Sequence, residues 1–158
     1  MKRLSVLLAS ALCAGLLTVA AAGAAATYND TLQGFQTATA ESGSVAVVIE
    51  AAGDLPGMGK LVLRRDANNV TGGTWSLTVL PPGADAQSSE RGRLHGSVAG
   101  GTLSFNQDGT LAGASAVQLT IEGGAGEYAA VSGGSGTLSL SASAESPSQM
   151  TGTLVLTF

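Results

Sequence analysis

The chain has 158 residues, 44% hydrophobic and only 11% charged, with 23 glycines and one cysteine. That is one domain at most, and too apolar for a disordered tail. Seven Lys plus Arg against eleven Asp plus Glu leave a net charge of −4 with no basic stripe, so no nucleic-acid partner is expected.

Lys2 and Arg3 open the chain, followed by an apolar stretch from Leu4 to Val19 and a small-residue tail from Ala20 to Ala26 before the polar Thr27-Tyr28-Asn29-Asp30. A charged start, an apolar middle and small residues ahead of a polar segment are the layout of a secretory signal peptide. The apolar part falls short of the roughly 20 residues that a spanning helix needs. We therefore expect residues 1–26 to be a cleaved leader, with Ala22 and Ala24 as rival cleavage positions. Residues 27–158 are expected to form a single secreted or periplasmic domain of bacterial type. Leu12 ahead of Cys13 does not suit lipid attachment, so no stable membrane anchor is expected after cleavage. Cleavage after Ala26 leaves 132 residues with no cysteine and a net charge of −6. Without disulfides such a domain depends on its core, and at this length it buries roughly two-thirds of its unfolded surface.

Beyond the leader, short apolar runs alternate with polar residues. Val45, Val47 and Ile49 share one parity, as do Leu61 and Leu63, then Trp75, Leu77 and Val79, then Leu94 and Val98. Leu103 with Phe105 follows, then Val117, Leu119 and Ile121, then Leu138 with Leu140, then Leu154, Leu156 and Phe158. Ser, Thr, Gln and charge fill most of the opposite parity. Side chains of a strand point to alternate faces, so this is a sheet with one dry and one wet side. No stripe of helical spacing follows the leader. Eight or nine short strands with glycine turns predict an all-β domain, an eight-stranded antiparallel barrel that closes its own edges, with a two-sheet β-sandwich as the alternative. Residues 81–89, Pro81-Pro82-Gly83-Ala84-Asp85-Ala86-Gln87-Ser88-Ser89, break the pattern and form a loop long enough to cap one barrel end. Gly-Thr-Leu recurs at 101, 109, 136 and 152 without a fixed period, and reads as glycine ending a turn with Thr-Leu starting a strand.

Catalytic equipment is scarce. His95 is the only histidine and no cluster of ligand side chains is spaced around it, so neither a metal nor another cofactor is expected. No nucleophile elbow surrounds a serine, and Ser97 lies on the strand and face of His95 without a neighbouring acid. Glu50 and Glu122 have the wet parity, while Asp54, Asp66, Asp85, Asp108 and Glu145 fall in turns. The facing of Glu127 and Arg65 is open. An interior of Val, Leu and Ile offers no general acid or base. Trp75 and Phe105 have the dry parity and read first as core. The functional alternative is that Trp75, Phe105 and Tyr128 line a barrel mouth and stack on a small apolar ligand.

The last strand, Met150 to Phe158, has apolar residues at alternate positions and a terminal aromatic, as in the closing strand of outer-membrane barrels. Six aromatics cannot furnish two interfacial girdles, and several runs are shorter than a spanning strand.

The stretch Leu119-Thr120-Ile121-Glu122-Gly123-Gly124-Ala125-Gly126-Glu127-Tyr128, continuing through Gly133-Gly134-Ser135-Gly136-Thr137-Leu138, resembles the I-x-G-G-T-G-x-[FY]-x-G-A-x-G signature of barrels related to allene oxide cyclase and dirigent proteins. Ala125 stands where that signature has Thr, and Ala130-Val131 where it has Gly-Ala. Gly124 and Gly126 are expected to take positive φ, with Tyr128 packing back on the barrel. The resemblance implies an eight-stranded antiparallel barrel with a central cavity, often oligomeric. In plant members the cavity holds hydrophobic oxylipins or phenolic radicals. No counterpart of their polar cavity residues is found here, so the resemblance carries fold more than activity. The expected role is binding of a small apolar ligand or structural association, as a monomer or a homo-oligomer. The alternatives are a cyclase or isomerase acting by confinement, and a small outer-membrane barrel or surface subunit.

Overall fold

The computed structural model describes residues 25–40, 43–84, 88–143, 146 and 149–158. The expected leader lies outside these residues except for Ala25 and Ala26, as do Asp85 and Glu145. Eight strands follow in chain order: β1 (Thr27–Ala40), β2 (Ser44–Gly53), β3 (Gly57–Asp66), β4 (Asn69–Val79), β5 (Gly92–Phe105), β6 (Leu111–Gly126), β7 (Gly134–Ala142) and β8 (Gln149–Thr157). Each pairs antiparallel with the next, and β8 pairs back onto β1, giving a closed barrel instead of a sandwich. Closure removes every free strand edge. One end gathers the turns after β2, β4 and β6 with the chain's last residue; the other gathers the turns after β1, β3, β5 and β7.

The alternation sets the faces as the sequence predicts. Val45, Val47, Ile49, Leu61, Leu63 and Trp75 are buried, as are Leu77, Val79, Leu94, Val98, Leu103 and the aliphatics of β6 to β8. Glycine occurs among the inward positions and alternates with bulk. A Cβ on Gly59 would lie 2.9 Å from Ile49 Cγ1, one on Gly96 2.9 Å from Trp75 Nε1, and one on Gly152 2.9 Å from Leu140 Cδ2. Large neighbours therefore lie across these glycines, and the middle of the barrel is filled by side chains, as suits eight strands. This corrects the reading of Gly-Thr-Leu as a turn-to-strand signal. Of the four copies only Gly109 stands outside a strand, while Gly136 and Gly152 sit inside β7 and β8 to make room for Leu156 and Leu140.

The strands are 9 to 16 residues long, so the expectation of several runs too short to span a membrane does not hold. Two runs read as separate strands are one. Leu94 to Val98 and Leu103 to Phe105 both belong to β5, where the register shifts on either side of Gly100 and Gly101 takes φ 147°. The extra residue changes which parity faces inward, so the even run becomes an odd one without a turn. A matching irregularity in β6 lies between Ala114 and Val117, with Ala116 at φ 49°. The eighth strand is β1, a segment without an obvious apolar alternation.

Charge is unevenly spread over the outer wall. β1, β7 and β8 together carry one charged residue, Asp30, and it faces inward. Outward positions of β7 and β8 include Ser135, Thr137, Ser139, Thr151, Thr153 and Thr157. Lys60 and Arg64 on β3, Arg93 and His95 on β5, Glu50 on β2 and Glu122 on β6 are exposed elsewhere on the wall.

Candidate functional site

The three aromatic residues singled out from sequence occupy three separate levels of the barrel. Trp75 lies in the middle, 4% exposed, with its indole against Gly96 and its Nε1–H donating to the Thr120 carbonyl at 3.1 Å. Its one polar atom is thus satisfied and the ring fills the core. Phe105 stands at the end where β5 turns into β6, half-buried, with the Arg65 guanidinium 4.3 Å from its ring centroid. Tyr128 caps the opposite end in the turn after β6. The structure does not bring these residues to one mouth.

Tyr128 nevertheless belongs to a cluster. Its ring meets Phe158 edge-on at 6.2 Å between centroids, and Phe158 stacks on Tyr28 at 4.7 Å and 18°. Ala26 and Phe158 exchange backbone hydrogen bonds of 2.9 and 3.1 Å, holding the last residue over the barrel end. Gly126 takes φ 64° and begins the turn, as expected. Gly124 does not take positive φ; its role is close approach, because a Cβ there would lie 2.8 Å from Tyr128 Cβ. Tyr128 packs back on the barrel through that gap.

Beneath the aromatic cap sits Asp30, 4% exposed, which corrects the expectation of a purely aliphatic interior. Its Oδ1 accepts the Leu55 N–H at 2.8 Å, while Oδ2 is buried with no hydrogen-bond partner among the described residues. Next door, Asp54 Oδ2 accepts the Asn29 N–H at 2.8 Å, so two aspartates clip the turn after β2 to β1 and seat the buried Leu55. Burial pushes the Asp30 carboxyl above the usual aspartate range; the Leu55 hydrogen bond works against this and the Asp54 charge adds to it. Burial likewise raises the Tyr128 hydroxyl, with the Arg91 charge acting the other way. Sequence reading missed this group because Asn29-Asp30-Thr31 looks uniformly polar. The signal was present in the even positions Tyr28, Asp30, Leu32 and Gly34, which share a face.

Among the described residues the other candidates named from sequence are dispersed. His95, Glu50 and Glu122 are exposed on the outer wall, and Ser97 faces outward beside His95. Glu127, whose facing the sequence left open, is exposed and takes two hydrogen bonds from Arg91 at 2.9 and 2.7 Å. Arg65 is half-buried over Phe105 and donates to the Ala67 carbonyl at 3.1 Å. Among the described residues no group of three or more His, Cys, Asp or Glu converges to hold a metal. A groove of about 380 Å³ lies on the outer wall across β8, β1 and β2, bordered by Thr31, Ala52, Thr153 and Val155. Comparison with protein-family models, curated proteins and solved structures returns no match.

Proposed function

We propose that this chain is an exported bacterial β-barrel that performs no chemistry of its own and acts by structural association through its outer wall. The observation that carries this reading is the packed interior. Ile49, Trp75, Leu140 and Leu156 lie across inward glycines, so the middle of the barrel lacks the room that confinement of a substrate needs. Dispersion of His95, Glu50 and Glu122 over the outside supports it further, since general acid–base work needs groups within reach of one substrate. An apolar interior and a hydroxyl-rich exterior are the reverse of a lipid-spanning barrel, whose outer band is apolar, and this favours a water-facing protein over the outer-membrane alternative. The leader-like residues 1–26 support export, and the resemblance of residues 119–138 to the allene oxide cyclase and dirigent barrels supports the same class of fold.

A second reading, binding of a small apolar ligand, is favoured by one feature: the Tyr28–Phe158–Tyr128 cap over an unsatisfied buried carboxylate oxygen. Titration of the purified chain, leader removed, with anilinonaphthalene sulfonate separates the two. The association reading expects no saturable fluorescence enhancement by the native protein and a native mass equal to the chain or its multiples. Saturable one-to-one dye binding with a rise in Tm would replace it with the ligand reading. Recovery only in detergent extracts of the outer membrane would replace it with the membrane reading.

A further inference from the structure

We infer that the Tyr28–Phe158–Tyr128 cap is a pH-gated lid, which closes the barrel end while Asp30 holds its proton and lifts when that carboxyl ionises. The inference is independent of the association reading, which concerns the outer wall. Asp30 is 4% exposed and only half satisfied. Its Oδ1 takes the Leu55 N–H at 2.8 Å, and Oδ2 is buried without a partner among the described residues. A neutral carboxyl tolerates such a place at the modest cost of one unmade hydrogen bond. A carboxylate does not, because burying an ion without a counter-charge costs far more than burying a neutral polar group.

Among the described residues, no element packed around Asp30 supplies that counter-charge. The turn after β2 brings a second carboxylate, Asp54, which accepts the Asn29 N–H at 2.8 Å. Its charge acts against ionisation of Asp30, and burial acts the same way. The turn after β6 brings Tyr128, whose hydroxyl is kept protonated by burial, and the exposed Glu127. Arg91, just ahead of β5, is taken up by Glu127 at 2.7 Å. β1 itself adds Tyr28, and Phe158 adds its terminal carboxylate, one oxygen of which accepts the Ala26 N–H at 2.9 Å. β2 and β8 set Gly53 and Leu154 beside Asp30 and bring no charge there. An ionised Asp30 is therefore stabilised only by water.

Two covers stand between Asp30 and water, and they respond to the charge in opposite ways. One is the turn 53–56. It is bound to Asp30 Oδ1 through Leu55, tied to the Leu80 N–H through the Pro56 carbonyl at 2.8 Å, and set so close that a Cβ on Gly53 would lie 2.8 Å from Oδ1. A charge on Asp30 strengthens the Leu55 bond, since hydrogen bonds to an ionised acceptor are roughly twice as strong as neutral ones. The turn is thereby held more firmly. The other cover is the aromatic cap, which makes no hydrogen bond to Asp30. Phe158 lies past the end of β8 at Thr157 and is held by its two backbone bonds to Ala26 and by its ring contacts with Tyr28 and Tyr128. The cap is the side that gives way.

Amide hydrogen exchange followed by NMR from about pH 3 to about pH 9, corrected for intrinsic exchange, tests this on the chain from Ala25 to Phe158, which keeps the Ala26 bonds. Linkage fixes the form of the result. The closed lid favours the protonated carboxyl, so Phe158 protection is full below the ordinary aspartate pKa. It then falls by about tenfold per pH unit up to the raised value of the closed form, and is level above it. Leu55 protection should hold or rise over the same range. Asp30→Asn should keep Phe158 protected at every pH, and Asp54→Asn should narrow the window by removing the like charge. Should Asp30→Asn not fold, the parent decides by itself: the fall must end at the midpoint of the Asp30 carboxyl-carbon NMR signal. Phe158 protection that is flat in the parent overturns the inference, as does a fall that persists in Asp30→Asn or misses that midpoint. A fall shared equally by Leu55 and by the Arg65 amide, which bonds to Gly43 at the far end, marks unfolding of the whole barrel and overturns it too.

Discussion

Replacing Leu77 by alanine distinguishes a filled barrel from an open one. Leu77 is fully buried on β4, paired with Gly59 on β3 and Leu94 on β5. Truncation removes roughly three methylene equivalents, worth about 2.4 kcal/mol of transfer free energy at ~0.8 kcal/mol each. In a filled interior a cavity term is added, and Gly59 has no side chain to move into the space. The loss should then reach about 4 kcal/mol, toward the upper part of the ~2.7–5.0 kcal/mol range for buried leucines. In an open lumen the cavity term vanishes and the loss stays near the transfer value. A Cβ at Gly152 meets the Ser139 backbone and Leu140 Cδ2, so Gly152→Ala should cost about 1–3 kcal/mol by overpacking. At Gly34 the nearest atom is Val47 Cγ1 at 3.2 Å, a side chain that can give, and Gly34→Ala should be close to neutral. Equilibrium urea unfolding followed by fluorescence of Trp75, the one tryptophan, reads all three. At an m-value of ~2 kcal/mol/M, a 4 kcal/mol loss moves the midpoint by about 2 M. A Leu77→Ala loss of about 2 kcal/mol would refute the filled interior, and with it the argument against confinement.

Other expectations concern the barrel end and the central indole. Because burial raises the Asp30 carboxyl in the folded state, its neutral form is favoured there. Its contribution to stability is full below the unfolded aspartate pKa and fades as pH rises through the higher folded value. Asp30→Asn keeps an acceptor for the Leu55 N–H and should flatten that part of the pH profile, being relatively more stable than the parent at pH 8 than at pH 4. Urea midpoints at the two values check it, and parallel profiles would refute it. Trp75→Phe removes the hydrogen bond to Thr120 and leaves its carbonyl without that partner, for an expected loss of about 1–2 kcal/mol in Tyr-monitored thermal unfolding. Tyr128→Ala should speed amide exchange at Leu55 and Phe158, which share its end, while leaving the far end around Phe105 protected.

How legible the molecule is depends on the range of the interaction. Val117, Leu119 and Ile121 announce an inward face because side-chain alternation is a local property of the strand backbone. The bulges at Gly100–Gly101 and Ala116 are not legible in that way. They re-phase β5 and β6 against their partners, and a register shift exists only relative to another strand. Tyr128 was identified correctly as a residue that packs back, since the glycines around it mark a turn. Its partners Tyr28 and Phe158 sit at the two ends of the domain and meet only when β1 and β8 pair.

By itself the sequence determined that the chain forms strands and which face of most of them is dry. Tertiary structure alone decided that inward glycines and large side chains interlock, that Asp30 lies buried under three aromatic rings, and that β7, β8 and β1 join into one uncharged wall. The physical reason is that facing follows from the two-residue period of each strand, whereas neighbourhood follows from closure, which brings together residues 130 positions apart, such as Thr27 and Thr157.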